Sequence, residues 1–166
     1  MIYEEISSNK RKSYFLIFVF FIIIIALGMV FGLYFNNIYA GAIMAGIISG
    51  VYFLISYYAG DQMILAVSRA KPVEKKDYPH LYNTVEGLSI AAGVPMPKVY
   101  VINDTAINAF ATGRDPQHAS ITVTEGAIKK LNRQELEGVV GHEMSHIKNF
   151  DIRLMMLTAV LIGVTV

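Results

Sequence analysis

Between Ser13 and Gly60 the chain carries no Asp, Glu, Lys, Arg or His. Nothing else in its 166 residues limits the fold so severely. A helix needs about 20 apolar residues to cross a bilayer, and this stretch is long enough to do so twice. Asn36 and Asn37 interrupt the run and mark a turn, because Asn tolerates unusual backbone angles. The reading is a transmembrane helical hairpin over residues 14–59, with a first span at Tyr14–Phe35 and a second at about 38–59. A secretory signal peptide is the competing reading, with Lys10-Arg11-Lys12 as its basic region and Ala40-Gly41-Ala42 as its cleavage site. Its apolar core is normally about 7–15 residues long, and this run is clearly longer and followed at once by another.

Composition agrees with a membrane chain. Charged residues make up 16% of it, against about 25% in an average soluble domain. A wholly soluble protein is excluded, and so is a disulfide scaffold, since there is no cysteine. With 14 basic and 13 acidic residues, the net charge of +1 gives no case for a nucleic-acid partner. The lipid bilayer is the partner it implies. Lys10, Arg11 and Lys12 precede the first span, and Arg69, Lys71, Lys75 and Lys76 follow the second. Basic residues stay on the cytoplasmic side, so residues 1–13 and the domain after the hairpin are expected there. Small residues recur at four-residue spacing, Gly28 and Gly32 on the first span and Ala42, Gly46 and Gly50 on the second. Such spacing allows two helices to approach closely. From Leu154 to Val166 the chain is again uncharged and almost wholly apolar, too short to span. Residues 154–166 read as the start of a third transmembrane helix that continues beyond them.

Residues 61–153 are left for one cytoplasmic α+β domain. After a polar connection, residues 78–92 read as an amphipathic helix with Leu81, Val85, Leu88 and Ala92 on one face. Asp77 is its candidate cap, Pro79 suits its first turn and Gly93 its end. Strands are expected at 98–102, 107–111 and 119–123, the last two as an antiparallel hairpin around the turn residues Gly113 and Asp115-Pro116. A short helical stretch at 126–130 follows. Asn132 and Glu135 then form a capping-box pattern that opens a helix burying Leu136, Val139, Val140 and Ile147.

That helix contains His142-Glu143-Met144-Ser145-His146. Residues four apart share a face, so His142 and His146 can reach one zinc ion. Glu143 is not needed as a ligand and can act as general base, taking a proton from an attacking water and passing it to the leaving nitrogen. A catalytic zinc needs a third protein ligand. Asn149 and Ile152 rule out the extended motif with a third His, and no cysteine exists. The third ligand is therefore either an upstream acid such as Glu86 or Glu125, or a residue beyond 166, which is the preferred reading. His80 and His118 read as surface residues, and Arg114 as half of a surface salt bridge rather than a holder of substrate. Asp151, five residues past His146, is out of phase with it on a straight helix and is set aside as its orienting partner.

At this point the sequence resembles the HtpX family of membrane zinc metalloproteases, distant relatives of the CAAX prenyl proteases. The resemblance rests on Asn108-Ala109-Phe110-Ala111-Thr112-Gly113-Arg114, on Leu131 through Val139, and on His142 through Asn149. It implies four membrane spans, a cytoplasmic zincin-like domain with one zinc per active site, and cleavage of misfolded or damaged membrane proteins in protein quality control and the stress response. By motif, His142 and His146 become zinc ligands and Glu143 the catalytic base. The third ligand becomes a Glu beyond residue 166. Asn108, Ala109, Phe110 and Ala111 match the family's edge strand beside the active-site cleft, a platform on which an extended substrate can pair. Two departures stand out: Ile107 where the family usually has Pro, and Gly141 where it often has Ala. The expectation is thus a multi-pass endopeptidase of the cell membrane, acting on membrane or unfolded proteins. These 166 residues alone are expected to be inactive. The alternatives are an incomplete membrane-anchored chain that acts only through assembly with other membrane proteins, and a different zinc hydrolase chemistry on the same helix.

Overall fold

The computed structural model describes residues 2–162, with side chains from 4 to 161. Two long helices come first, α1 at Ile2–Tyr34 and α2 at Ile38–Val67. Asn36, at φ 56°, reverses the chain between them, and the Asn37 side chain caps α2 by accepting from the Ala40 amide at 3.0 Å. Both helices are long and apolar enough to cross a membrane, and only 6% of each apolar window is buried. Core helices of a soluble protein would be mostly covered. Phe15, Val30, Phe31 and Ile48 instead stand more than half exposed along the pair.

The helices run further than their apolar stretches. α1 takes Lys10-Arg11-Lys12 into the same helix, and α2 continues past Ala59 through Asp61 and Gln62. No helix breaker stops α2 until Ser68, after which Arg69 turns the chain at φ 54°. Close approach at the turn end is set by Gly28, Gly32 and Gly41. A Cβ on Gly28 would fall 2.2 Å from that of Ala45, and one on Gly41 would fall 2.2 Å from the Gly28 oxygen. Gly46 and Gly50, expected in this contact, face open space, because the hairpin meets on the Gly41–Ala45 side of α2.

The rest is a mixed helix and sheet unit. The strands are β1 (Lys71–Pro72), β2 (Lys98–Ile102), β3 (Ala109–Gly113) and β4 (Ala119–Thr124). They lie in the order β1-β2-β4-β3, with β2 and β4 parallel and both outer strands antiparallel to their neighbours. Every residue of the central strand β4 is buried. The helices α3 (Pro79–Ala92) and α5 (Arg133–Lys148) pack on this sheet, and a short α4 (Glu125–Lys130) follows β4. The core joins Leu81 and Val85 of α3, Val99 and Val101 of β2, Ile121 and Val123 of β4, and Val140, Met144 and Ile147 of α5.

Three local expectations shift. β3 begins two residues later than residue 107 and includes Gly113. α3 is capped by Tyr78 without a side-chain bond, while Asp77 accepts from the Glu74 amide at 3.1 Å and closes the preceding turn. The last helix, α6, spans Asp151–Ile162 and so starts before the apolar run does. It buries Ile152, Met156 and Leu157. Met156 and Val160 press on Gly60, and Tyr52 of α2 donates to the Val160 oxygen at 2.7 Å. Residues 163–166 of the expected third span lie outside the described residues.

Candidate active site

α5 is built to hold a fixed register. The Asn132 side chain accepts from the Glu135 amide at 3.0 Å, and Glu135 returns the bond to the Asn132 amide at 2.8 Å. This reciprocal cap fixes where the helix begins. Leu136, Val140, Met144 and Ile147 then form the stripe that enters the core. At about 100° per residue, that stripe leaves His142 and His146 together on the outer side, with Glu143 between them and the core. The exposures follow: His142 is exposed, His146 and Glu143 half-buried.

The two imidazoles meet nearly edge to face, with Nε2 atoms 3.2 Å apart. Two nitrogens at about 2.0–2.1 Å from a tetrahedral zinc are separated by about 3.3 Å, so the spacing of this pair is compatible with two ligands of one ion. Among the described residues no third His, Asp or Glu completes a group around them. Glu86 is engaged with Lys75 at 2.9 Å, and Glu125 with Lys129.

Glu143 reaches the sheet. Its Oε2 accepts from the Ala111 amide at 3.0 Å. Burial pushes its carboxyl above the ordinary carboxylate range, against the opposing pull of His146, His142 and the Ala111 amide. The bond is possible because β3 is an outer strand. Asn108 and Thr124 face each other as a bonded pair, the Thr124 amide donating to the Asn108 oxygen at 3.0 Å. Antiparallel pairing alternates, so the amides of Ala109 and Ala111 point away from β4. Asn108 covers the first with its own Oδ1 at 2.9 Å, and Glu143 covers the second. Of the four residues expected at this edge, Ala111 is thus brought directly to the motif. Asn108 lies just before the strand, and Phe110 is half-buried in it.

The residue set aside on phase is in contact after all. Nδ1 of His146 lies 2.8 Å from Oδ2 of Asp151. α5 stops at Lys148, and Phe150, at φ 61°, turns the chain back so that the first residue of α6 returns to the histidine. Straight-helix phase does not apply to this pair, because α5 ends between the two residues. Asn149, a residue type common where helices end, carries the signal that could have shown it. Of the surface readings, that of His118 holds, while Arg114 is largely covered, with 22% of its side chain exposed. His118 is half exposed beside Asp115 at 2.7 Å. The Arg114 guanidinium lies 5.4 Å over the Tyr58 ring and 3.8 Å from Asp115.

Residues 75–166 match the sequence family described as Peptidase family M48. The chain belongs to that family. Among curated proteins, it is 44% identical over 166 residues to a Protease HtpX homolog from Listeria monocytogenes, covering 99% of this chain and 55% of the relative. Another, from Dictyoglomus turgidum, is 44% identical over 164 residues, covering 99% and 54%. A third, from Lactobacillus helveticus, is 43% identical over 165 residues, covering 99% and 55%. The chain spans about half the length of the curated relatives it matches. The family is described as one of peptidases, and ahead of the matched residues lie the two helices long and apolar enough to cross a membrane.

Proposed function

We propose that this chain carries the catalytic helix of a membrane zinc endopeptidase. His142 and His146 are its first two zinc ligands and Glu143 its general base. The observation that carries the reading is one arrangement: two Nε2 atoms 3.2 Å apart, with the intervening carboxylate bonded to the outer strand at Ala111. Zinc bound there supplies Lewis acidity that polarises the scissile carbonyl. Glu143 orients the attacking water and moves its proton to the leaving nitrogen. Asn108 to Ala111 present the outer strand, where an extended peptide pairs through its backbone once the amides of Ala109 and Ala111 are released from Asn108 and Glu143.

The third ligand is a Glu supplied beyond residue 166. Among the described residues neither Glu86 nor Glu125 joins His142 and His146 in one group, which speaks against the upstream alternative. The domain faces the cytoplasm of a multi-pass cell-membrane protein, as the basic residues around the hairpin argue. Its substrates are membrane proteins or unfolded proteins, as the membrane setting and the resemblance suggest. Zinc content per chain tests the reading, measured on the full-length protein and on its His142→Ala variant. About one tightly held zinc, lost in the variant together with proteolysis, is the expected result. Proteolysis that persists without His142 refutes it. These 166 residues by themselves, with two imidazoles, are expected to hold zinc weakly and lose it to a chelator, and to be inactive.

A further inference from the structure

His146 is braced from the side away from His142. Its Nδ1 lies 2.8 Å from Asp151 Oδ2, which leaves Nε2 to face the other imidazole. Asp151 is braced in turn, because its other oxygen, Oδ1, accepts from Nδ2 of Asn9 in α1. The same Asn9 nitrogen donates to the main-chain oxygen of Asn149 at 3.2 Å. An amide nitrogen carries two hydrogens, so one side chain can grip both sides of the corner at Phe150. Two neighbours of Asn9 on α1 support that grip. Glu5 Oε2 lies 3.5 Å from Asn149 Nδ2, and the Lys10 ammonium sits 4.2 Å over the Phe150 ring. Glu5, Asn9, His146, Asn149 and Asp151 border a cleft of about 320 Å³ between the start of α1 and the end of α5.

We propose that Asn9 is a positioning residue of the metal site, acting through Asp151 on His146. The inference rests on the reading of His142 and His146 as zinc ligands. A carboxylate that accepts from Nδ1 fixes the tautomer with its lone pair on Nε2 and makes that nitrogen a better donor to a metal. A carboxylate held through one oxygen only can rotate about its own bond. Asn9 takes the second oxygen and stops that rotation. The stretch ahead of the first apolar run is therefore part of the catalytic centre as well as the start of an anchor. Loss of Asn9 loosens the ring without touching either imidazole.

The test is zinc affinity of the full-length protein in detergent, by competition with a chromogenic chelator. The visible spectrum of the cobalt-loaded protein and the unfolding temperature of the metal-free protein are read alongside. Removing a group that orients a ligand histidine typically costs about 10–100-fold in affinity. Asp151→Ala is expected in that range, and Asn9→Ala, one bond further out, at about three- to tenfold with a shifted cobalt band. Because Asn9 acts through Asp151, the double variant loses no more than Asp151→Ala alone. Ser7→Ala, on the same helix, keeps wild-type affinity. If Asn9→Ala does not fold, Asn9→Ser carries the same test, its hydroxyl too short to reach Asp151. Unchanged zinc affinity and cobalt spectrum in an Asn9 variant, or losses that add fully in the double variant, overturn the proposal and leave Asn9 a mechanical staple. The underlying reading fails by a different result, a wild-type protein whose zinc does not depend on His142.

Discussion

The Ala111 amide donates to Oε2 of Glu143 at 3.0 Å, tying the motif helix to the outer strand of the sheet. The Glu143 carboxylate and the outer edge of the strand are thereby in contact before any peptide arrives. With Asn108 over the Ala109 amide, two of the three outward amides of β3, those of Ala109 and Ala111, are engaged within the chain. A peptide that pairs at Ala109 and Ala111 has to exchange bonds with the protein rather than fill vacant positions. That exchange limits pairing with unrelated strands, the usual hazard of an exposed edge.

Glu143→Gln and Glu143→Ala separate the two jobs of this residue. Both variants of the full-length protein should retain zinc and lose about 10²–10⁴-fold in kcat, the usual contribution of a positioned base. They should differ in peptide binding. Gln still accepts from the Ala111 amide, whereas Ala frees it for the incoming strand. One gained hydrogen bond contributes about 0.5–1.5 kcal/mol, so Glu143→Ala should bind an uncleaved peptide severalfold more tightly than Glu143→Gln. Equal affinities would mean the Ala111 amide is not a docking donor.

Asp115 provides a pH-dependent brace at the other end of the edge strand. It caps the short turn Pro116–His118, accepting from the His118 amide at 2.9 Å with the His118 ring 2.7 Å away. Burial alone would raise its carboxyl, but the bond to the His118 side chain, the charge there, and the amides of His118 and Gln117 outweigh it and hold it below the ordinary range. A carboxyl lowered in the folded state stabilises above its unfolded pKa, about 3.9, and loses that contribution as pH falls through the folded value. Asp115→Ala should therefore cost about 1 kcal/mol near pH 7, the typical loss of a cap. The difference should shrink below about pH 4. Unfolding curves of both proteins from pH 3 to 7 check this, and a constant difference would assign the effect to packing alone.

The sequence was informative where a local rule acts alone. The strand expected at 98–102 is β2, and Asn132 with Glu135 located the start of α5. It was less so where partners decide. β1 is two residues, Lys71 and Pro72, that form a strand only because Tyr100 and Val101 lie opposite. β3 slides to Ala109–Gly113 because residues 103–107 fold over Gly126, whose Cβ position lies 2.2 Å from the Thr105 oxygen. At the candidate site, the motif helix was readable from His142 to His146. Its supports were not, since Ala111 reaches Glu143 from 32 positions away, and Asn9 reaches Asp151, the partner of His146, from 142.

Gly141 bears directly on the motif helix. It sits inside α5 next to His142, and a Cβ built on it meets nothing within 4 Å. Ala is favoured over Gly in a helix interior by about 1 kcal/mol, and no neighbour opposes the exchange here. Gly141→Ala should raise stability by roughly that amount, with zinc content unchanged. A chemical unfolding midpoint that falls instead would show that α5 needs local freedom at this position.

The hairpin glycines make the sharpest contrast within one element. Gly28 and Gly41 face each other so closely that an added Cβ would overlap backbone or the Ala45 side chain, at 2.2 Å in each case. Real Cβ atoms do not approach that near, so α1 and α2 must separate to admit one, at a cost of about 1–3 kcal/mol. Gly46 and Gly50 lie on the same helix as Gly41, and a Cβ there meets nothing within 4 Å. Gly28→Ala and Gly41→Ala should lower the unfolding temperature in detergent and weaken cross-links between cysteines placed at the turn ends of α1 and α2. Gly46→Ala and Gly50→Ala should leave both readings at wild-type values. Propensity cannot produce that split, because it favours Ala over Gly by the same amount at all four helical positions. Equal behaviour of the four variants would therefore count against the Gly28–Gly41 contact as the seam of the hairpin.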